Sequence, residues 1–263
     1  MKADNRFLND LFWAMDHRDS WLIMALLDIK IRYRRSVIGP FWITLSVAIF
    51  VSALAVVYSS LFKVELKEYM PFITIGMIIW TYISVVILEG CSAYVDAQMI
   101  ISNTNIPLIT FVLRVIVRNS IVFAHNLIVL IVVIWAFDVQ LTLVTLLSLI
   151  GLLVILLNSI WVAIFFSILA TRYRDIQPLI TSILQVLFLI TPIFWSVEML
   201  SEERDILANA NVLYHFVEIF RAPILGKVPS DTTFVVVSFV TVFGWLLAIK
   251  VYNQFSRKVP YWI

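Results

Sequence analysis

"DIKIRYRRSVIGPFWITLS", residues 28–46, sets Lys30, Arg32, Arg34 and Arg35 against Gly39-Pro40, after which the chain turns abruptly apolar. Residues 41–62 supply the run of about 20 apolar residues that a helix needs to cross about 30 Å of hydrocarbon. Residues 20–35 read as a helix lying along the inner membrane surface, with Trp21, Leu22, Leu26 and Ile29 toward lipid and the basic residues near anionic headgroups. Gly39-Pro40 breaks that helix, and Pro40 suits a first helical turn, where its missing N–H would have no partner. The chain turns here from lying on a membrane to crossing it.

The same length test finds five further runs, at 71–91, 108–137, 141–170, 178–197 and 232–252, giving six expected spans. Of 263 residues, 62% are hydrophobic and 14% charged, which places the chain in a lipid bilayer rather than among soluble domains. A net charge of +2 is too small to argue for nucleic acid. Cys91 is alone, so no intramolecular disulfide is possible, and His17, His125 and His215 lie too far apart in sequence to read as a metal cluster. The first forty residues mix charges with aromatics, unlike a cleavable signal peptide, so the N-terminus is expected to be retained.

Orientation follows from the basic residues, because positive loops stay cytoplasmic. With both termini inside, Lys2, Arg6, Arg18, Lys30 to Arg35, Arg114, Arg118, Arg172, Arg174, Lys250, Arg257 and Lys258 are inner, and only Lys63, Lys67, Arg204, Arg221 and Lys227 are outer. The expected organisation is one transmembrane domain over 1–263: a cytoplasmic interface region at 1–40, spans one to five within 41–197, an outer segment at 198–230, span six at 231–254 and a cytoplasmic tail at 255–263. Arg114 and Arg118, one turn apart, should project from the inner end of the long third span into headgroups or cytosol.

Three connecting stretches carry more than topology. "AYVDAQMIISNTNIPL" (93–108) is an inner loop with room for a short helix, and its Asn105 and Pro107 suit a helix start; it reads as a polar connector or a docking element. "TRYRDIQP" (171–178) packs Arg172, Arg174 and Asp175 into a turn, where Asp175 can cap the next helix; charge anchoring and docking explain it equally. In "NVLYHFVEIFRAPILGKVPS" (211–230), Leu213, Phe216, Val217, Phe220 and Ile224 share one helical face and Tyr214, Glu218 and Arg221 another, with Glu218 and Arg221 placed to pair. Too short to span, this segment should lie in the outer interface until Pro223 and Gly226 end it, either as a lipid-facing anchor or as a lid. Pro192, which should interrupt the fifth span just before it, favours the lid.

Within the spans, the small stripe Ser46, Ala53 and Ser60 fits close helix packing or a hydrated path. Trp42, Tyr58, Phe62, Phe188, Phe194 and Trp195 fit an interfacial belt or faces on which sugar rings stack. His125, Asn126 and Asn158 are expected to bond neighbouring helices. The sequence has no G-x-x-x-x-G-K-[ST], so it cannot cradle a nucleotide by a P-loop and any ATP energy must come from another subunit. Glu89, Asp96, Asp138 and Asp175 fall near span ends, which disfavours a proton relay, and no residues assemble a catalytic set.

In order and spacing, residues 28–46, 171–178 and 211–226 resemble the signature stretches of the permease subunits of type-2 ABC exporters for bacterial surface polysaccharides: Wzm-type O-antigen permeases, and the related capsule and teichoic acid permeases. The resemblance implies an all-α integral membrane fold with an N-terminal amphipathic interface helix, six spans and a re-entrant outer helical segment between spans five and six. It implies a homodimer in the bacterial inner membrane, joined by two copies of a cytosolic ATPase that carries ATP and Mg, and a lipid-linked polysaccharide moving between the two permease chains. No cofactor and no catalytic residue then belong to this chain. ATPase coupling falls by resemblance on Asp28, Asp96, Gln98 and Asn103, with Arg172 and Asp175 as additions, and the outer gate on Tyr214, Phe216, Glu218 and Arg221. Tyr58, Phe62 and Trp195 match the aromatic path, and Ser46 joins them from its stripe. The pyrophosphate of a lipid carrier would find cations at Arg32, Arg34 and Arg35. O-antigen is the first expectation; capsule or teichoic acid export, a drug exporter and a membrane enzyme acting on lipid-linked sugars are the alternatives.

Overall fold

A computed structural model describes residues 5–34, 38–39, 41–197 and 208–263. Their helices are α1 (Arg6–Asp16), α2 (Arg18–Arg32), α3 (Phe41–Phe62), α4 (Leu66–Asp96), α5 (Gln98–Asn103), α6 (Ile109–Ala136), α7 (Leu147–Arg172), α8 (Ile176–Ile190), α9 (Val212–Ile224) and α10 (Asp231–Phe255). Two 3₁₀ turns, Leu143–Leu146 and Val259–Tyr261, precede α7 and close the chain. Among the described residues, α3, α4, α6, α7 and α10 are long and apolar enough to cross a membrane.

The centre of the bundle is α4, which packs against α3, α6, α7, α8 and α9. Over its most apolar stretch it is 61% buried, against 17% for α3 and α10, so those two lie at the periphery of this chain. Pro71 sits inside α4 but near its start, where only the Lys67 carbonyl loses its usual donor.

The fifth expected span, at 178–197, is instead a 15-residue helix that stops at Ile190. At 1.5 Å per residue it covers about 22 Å, short of the hydrocarbon thickness. Thr191 adopts extended backbone (ψ 133°), the conformation forced on a residue that precedes proline. Other boundaries shift less: α2 covers 18–32 rather than 20–35, and α7 starts six residues later than the expected 141 because the 3₁₀ turn, closed by a Thr142–Thr145 capping box, comes first. The expected start of the first span at Pro40 lies outside the described residues.

Two expected caps are absent. Asp175 stands at the head of α8 in helical conformation and its side chain makes no cap bond. Asn105 does not start α6, which begins at Ile109 with the Pro107 carbonyl accepting from the Thr110 N–H at 3.0 Å. Pro223 lies within the last turn of α9, and Gly226, at φ +77°, makes the reversal after it.

The two ends of the chain meet. Phe7 of α1 sits edge-on to Trp245 (6.1 Å) and Tyr252 (5.7 Å) of α10. Its N–H donates to Asn253 Oδ1 (2.8 Å), and the Tyr252 hydroxyl donates to Asp10 Oδ2 (2.7 Å). The N-terminal helix is thereby clasped to the end of the last span.

Candidate functional site

Where α2, α4 and α6 meet, the helical spacing of Asp28 with Arg32, and of Arg114 with Arg118, makes two matching charged faces. Arg114 donates to both Asp28 oxygens, Nε at 2.7 Å and Nη2 at 2.5 Å, and Arg118 Nη1 adds a third bond at 2.7 Å. Arg118 also donates to Glu89 Oε2 of α4 (Nη2, 2.7 Å), beside Asn119 Nδ2 (2.6 Å), and Arg32 Nη2 donates to Glu89 Oε1 (3.0 Å). The network bolts α2 to α4 and α6. Burial works to raise the Asp28 carboxyl, but the hydrogen bonds and charges of Arg114 and Arg118 outweigh it and hold its pKa below the ordinary carboxylate value. Asp28 therefore faces α6, while Ile23, Leu26, Leu27 and Ile31 form the exposed apolar face of α2. Of the other residues expected toward lipid, Trp21, Leu22 and Ile29 are half-buried, and Trp21 Nε1 donates to the Ala14 carbonyl (2.8 Å). Arg32 is committed to Glu89, Arg34 is exposed in the following turn, and Arg35 lies outside the described residues.

The remaining coupling candidates cluster around the end of α4. Asp96 accepts from Ser92 Oγ (2.6 Å), Gln98 opens α5 and is exposed, and Asn103 Nδ2 closes α5 on the Met99 carbonyl (2.7 Å). Asn103, Asn105, Arg6, Asp10 and Ser256 line a groove of about 630 Å³ between α1, the α5–α6 loop and the chain's end. Arg172 lies over the Trp262 ring at 5.1 Å, tying the end of α7 to the C-terminal turn, and Asp175 is exposed beside it.

Higher in the bundle, aromatic rings from α3, α4 and the α8 end form a continuous row. Phe188 lies 5.6 Å from Trp80 and 5.7 Å from Phe194; Tyr58 lies 5.3 Å from Phe194 and 5.6 Å from Phe62. Phe62 then meets Tyr69 (6.3 Å), which meets Phe72 (6.2 Å). The Tyr69 hydroxyl donates to the Phe194 carbonyl. The stop at Thr191 brings Phe194 into this row, which includes the expected Tyr58 and Phe62. Trp195 does not join it, because its Nε1 turns back to the Leu189 carbonyl (3.1 Å). Ser46 donates to the Trp42 carbonyl (2.9 Å) and borders an open groove with Phe50, Met77 and Thr81. Ser46, Ala53 and Ser60 are exposed, while Thr44, Val51, Ala55 and Ser59 are the buried stripe, so close packing within the chain does not use the small-residue face.

Helix α9 starts where Asn211 Oδ1 accepts from the Leu213 N–H (3.0 Å), while Asn211 Nδ2 donates to Thr191 Oγ1 (2.8 Å). It is buried against α4, α7 and α10 on most of its surface, not laid out as a lipid-facing anchor. Arg221 is 2% exposed: it pairs with Glu218 (2.7 Å), donates from Nη1 to the Pro192 carbonyl (2.8 Å), and lies 4.0 Å over the Phe72 ring. Tyr214, Glu218 and Arg221 line a cavity of about 950 Å³ with Lys67, Tyr69 and Phe72. Phe216 points the other way, into the core.

The sequence reading did not foresee the role of His215. Its Nε2 faces the Asn209 carbonyl, which can only accept, so that nitrogen carries the proton; Nδ1 meets Thr233 Oγ1 at 2.9 Å and ties α9 to α10. Asn158 bonds its neighbour helix as expected, donating to Thr241 Oγ1 (2.8 Å). His125 instead turns to the Ile121 carbonyl of its own helix (2.7 Å), and Asn126 Oδ1 is buried with no hydrogen-bond partner.

Residues 20–225, from α2 through α9, match the model of the ABC-2 type transporter. The chain belongs to the ABC-2 type transporter family. It is similar to the O-antigen export system permease protein RfbA of Klebsiella pneumoniae, 20% identical over 247 residues that span 91% of this chain and 94% of the relative. A second Klebsiella pneumoniae protein of that name is 20% identical over 220 residues (76% and 85%), and the Myxococcus xanthus RfbA is 22% identical over 223 residues (82% and 83%). The charge network, the aromatic row and α9 of this ABC-2 permease all fall inside the matched region. The chain is thus a multi-pass membrane subunit of a transporter.

Proposed function

We propose that this permease moves a lipid-linked polysaccharide, O-antigen, across the bacterial inner membrane through a path between two copies of the chain, driven by two copies of a separate cytosolic ATPase. The observation that carries the reading is the aromatic row. Phe188, Phe194, Tyr58, Phe62 and Phe72 are half-buried, each with part of its surface open. Aromatic faces stack on the C–H faces of sugar rings with little demand on sugar sequence, as a moving polymer requires. The names of the three relatives support the same substrate class.

The barely buried α3 supplies the surface for the second copy, and its exposed Ser46, Ala53 and Ser60 allow close approach there. On this reading the ATPase docks at Asp96, Gln98 and Asn103 with Arg172 and Asp175, while Asp28 positions α2. The carrier pyrophosphate meets Arg34 and Arg35, with Arg32 already held by Glu89. The short α8 and the chain after it complete a sixth crossing, and α9 is the re-entrant outer gate carrying Tyr214, Phe216, Glu218 and Arg221.

The test is polysaccharide export in cells lacking the native permease. Tyr58→Ala and Phe194→Ala should lower export about tenfold or more while the variants still assemble with the ATPase. Trp135→Ala, at an 82% exposed ring on α6, should export normally. Unchanged export in both aromatic variants would remove the path from this row.

A further inference from the structure

A cleft of about 270 Å³ opens beside α8, bounded by α4, α7, α9 and α10, and no residue of α3 lines it. Val86 and Ile155 line its depth, Val162, Leu184 and Val240 its sides, and Phe216 of α9 its outer end. No lining residue carries a charge. The polar groups that reach it are engaged with one another. The Tyr82 hydroxyl meets Ser159 Oγ (3.2 Å), Asn158 donates to Thr241, and Asn158 Oδ1 accepts from Trp161 Nε1 (2.6 Å).

We propose that this cleft is a lipid site that holds one acyl chain of a membrane phospholipid, seated between α7 and α8 behind α9. The inference goes beyond the export reading, since it needs only that the chain spans a membrane. The α7 residues of the cleft run from 155 to 166 inside a helix of 147–172, so they sit about 12 Å and about 9 Å from its two ends. At that depth the surrounding medium is hydrocarbon. Water would find no free polar partner in the cleft, and an apolar volume without such partners stays dry. The cleft is also somewhat smaller than the common range for drug-sized ligands, as suits one narrow chain.

What the cleft borders argues against a sugar or a second copy of the chain as occupant. No residue of the aromatic row lines the cleft, whereas one of its walls is α10, whose Phe239 and Phe243 are exposed apolar rings suited to lipid. Ile183, on the lining and 41% exposed, gives a lipid chain its way in. Once seated, the chain fills the space behind Phe216 and holds α9 from the core side.

The experiment reconstitutes the permease with its ATPase in nanodiscs of phosphatidylethanolamine and phosphatidylglycerol, doped with phosphatidylcholine bearing a diazirine at the acyl terminus. After irradiation, adducts are mapped by mass spectrometry. Adducts are expected at Val162 and Leu184 as well as at outward Phe239. Ile183→Trp, at the mouth, and Val240→Trp, in the wall, should each cut the cleft adducts about tenfold and leave those at Phe239 unchanged. Both variants are scored only on complexes that elute as the wild type does. Adducts confined to outward positions, cleft adducts that neither tryptophan lowers, or a copy-to-copy cross-link from a photoreactive residue at 183 would each overturn the proposal.

Discussion

At Arg221, Glu218, the Pro192 carbonyl and the Phe72 ring satisfy one buried guanidinium from three directions. Lysine keeps the charge but not the planar fork, so Arg221→Lys should destabilise the protein by about 3 kcal/mol, read as a lower unfolding temperature in detergent. Removing both partners, Arg221→Leu with Glu218→Leu, should cost less than Arg221→Leu alone, because no unpaired carboxylate is left; a double-mutant cycle measures the difference. The Glu218–Arg221 pair is legible in the sequence from its i,i+3 spacing. Pro192 and Phe72 are not, since they come from the stretch after α8 and from α4, which only tertiary packing brings beside α9. In the charge network, the depressed pKa of Asp28 makes its charged form stabilising above the usual carboxylate value of about 3.9. That contribution is lost as pH falls through the folded-state pKa. Unfolding temperatures followed from neutral pH downward should show this acid loss in the wild type and a flatter profile, from a lower neutral value, in Asp28→Asn.

Helix α9 depends on a close approach by α7. Pro223 has no N–H, so the Ile219 carbonyl lacks its normal partner four residues on, and Gly151 of α7 lies against that oxygen. A methyl group at Gly151 would stand 2.5 Å from it, closer than side-chain carbons come. Gly151→Val should therefore push α9 off α7, cost about 1–3 kcal/mol and speed hydrogen exchange of the α9 amides, with Gly151→Ala intermediate. Unchanged exchange in both would contradict the contact. At this scale the sequence is legible where length and polarity decide: α3, α4, α6, α7 and α10 lie where their apolar runs predict. At α8 the apolar run across 178–197 overstates the helix, whereas Pro192, expected from the sequence to interrupt it, marks the stop, because the residue before a proline must leave the helix. The buried face of α3 is hidden for a related reason. The helix is apolar all round, so no contrast marks Thr44, Val51, Ala55 and Ser59 as the inward stripe.

Across the whole molecule, the charge network and the clasp of α1 on α10 gather at one end, and the aromatic row leads toward Arg221 and the cavity it lines at the other. Glu89 joins α2 and α6 to the central helix α4, accepting from Arg32, Arg118 and Asn119 at once. The account predicts that Glu89→Gln keeps the spans folded but loosens α2, lowering polymer-stimulated ATPase turnover more than basal turnover. Equal losses in both would make Glu89 merely structural. The sequence showed that charges collect at this end, through the positive-inside pattern, but not that Asp28 and Glu89 neutralise them. Those carboxylates lie 61 residues apart in sequence and share Arg118 on a third helix. The most direct test of the central claim is ATPase turnover of the permease with its ATPase in nanodiscs, with and without lipid-linked polysaccharide. The account predicts stimulation by the polymer that Tyr58→Ala and Phe194→Ala abolish. Turnover indifferent to the polymer, or raised only by drug-like amphiphiles, would contradict it.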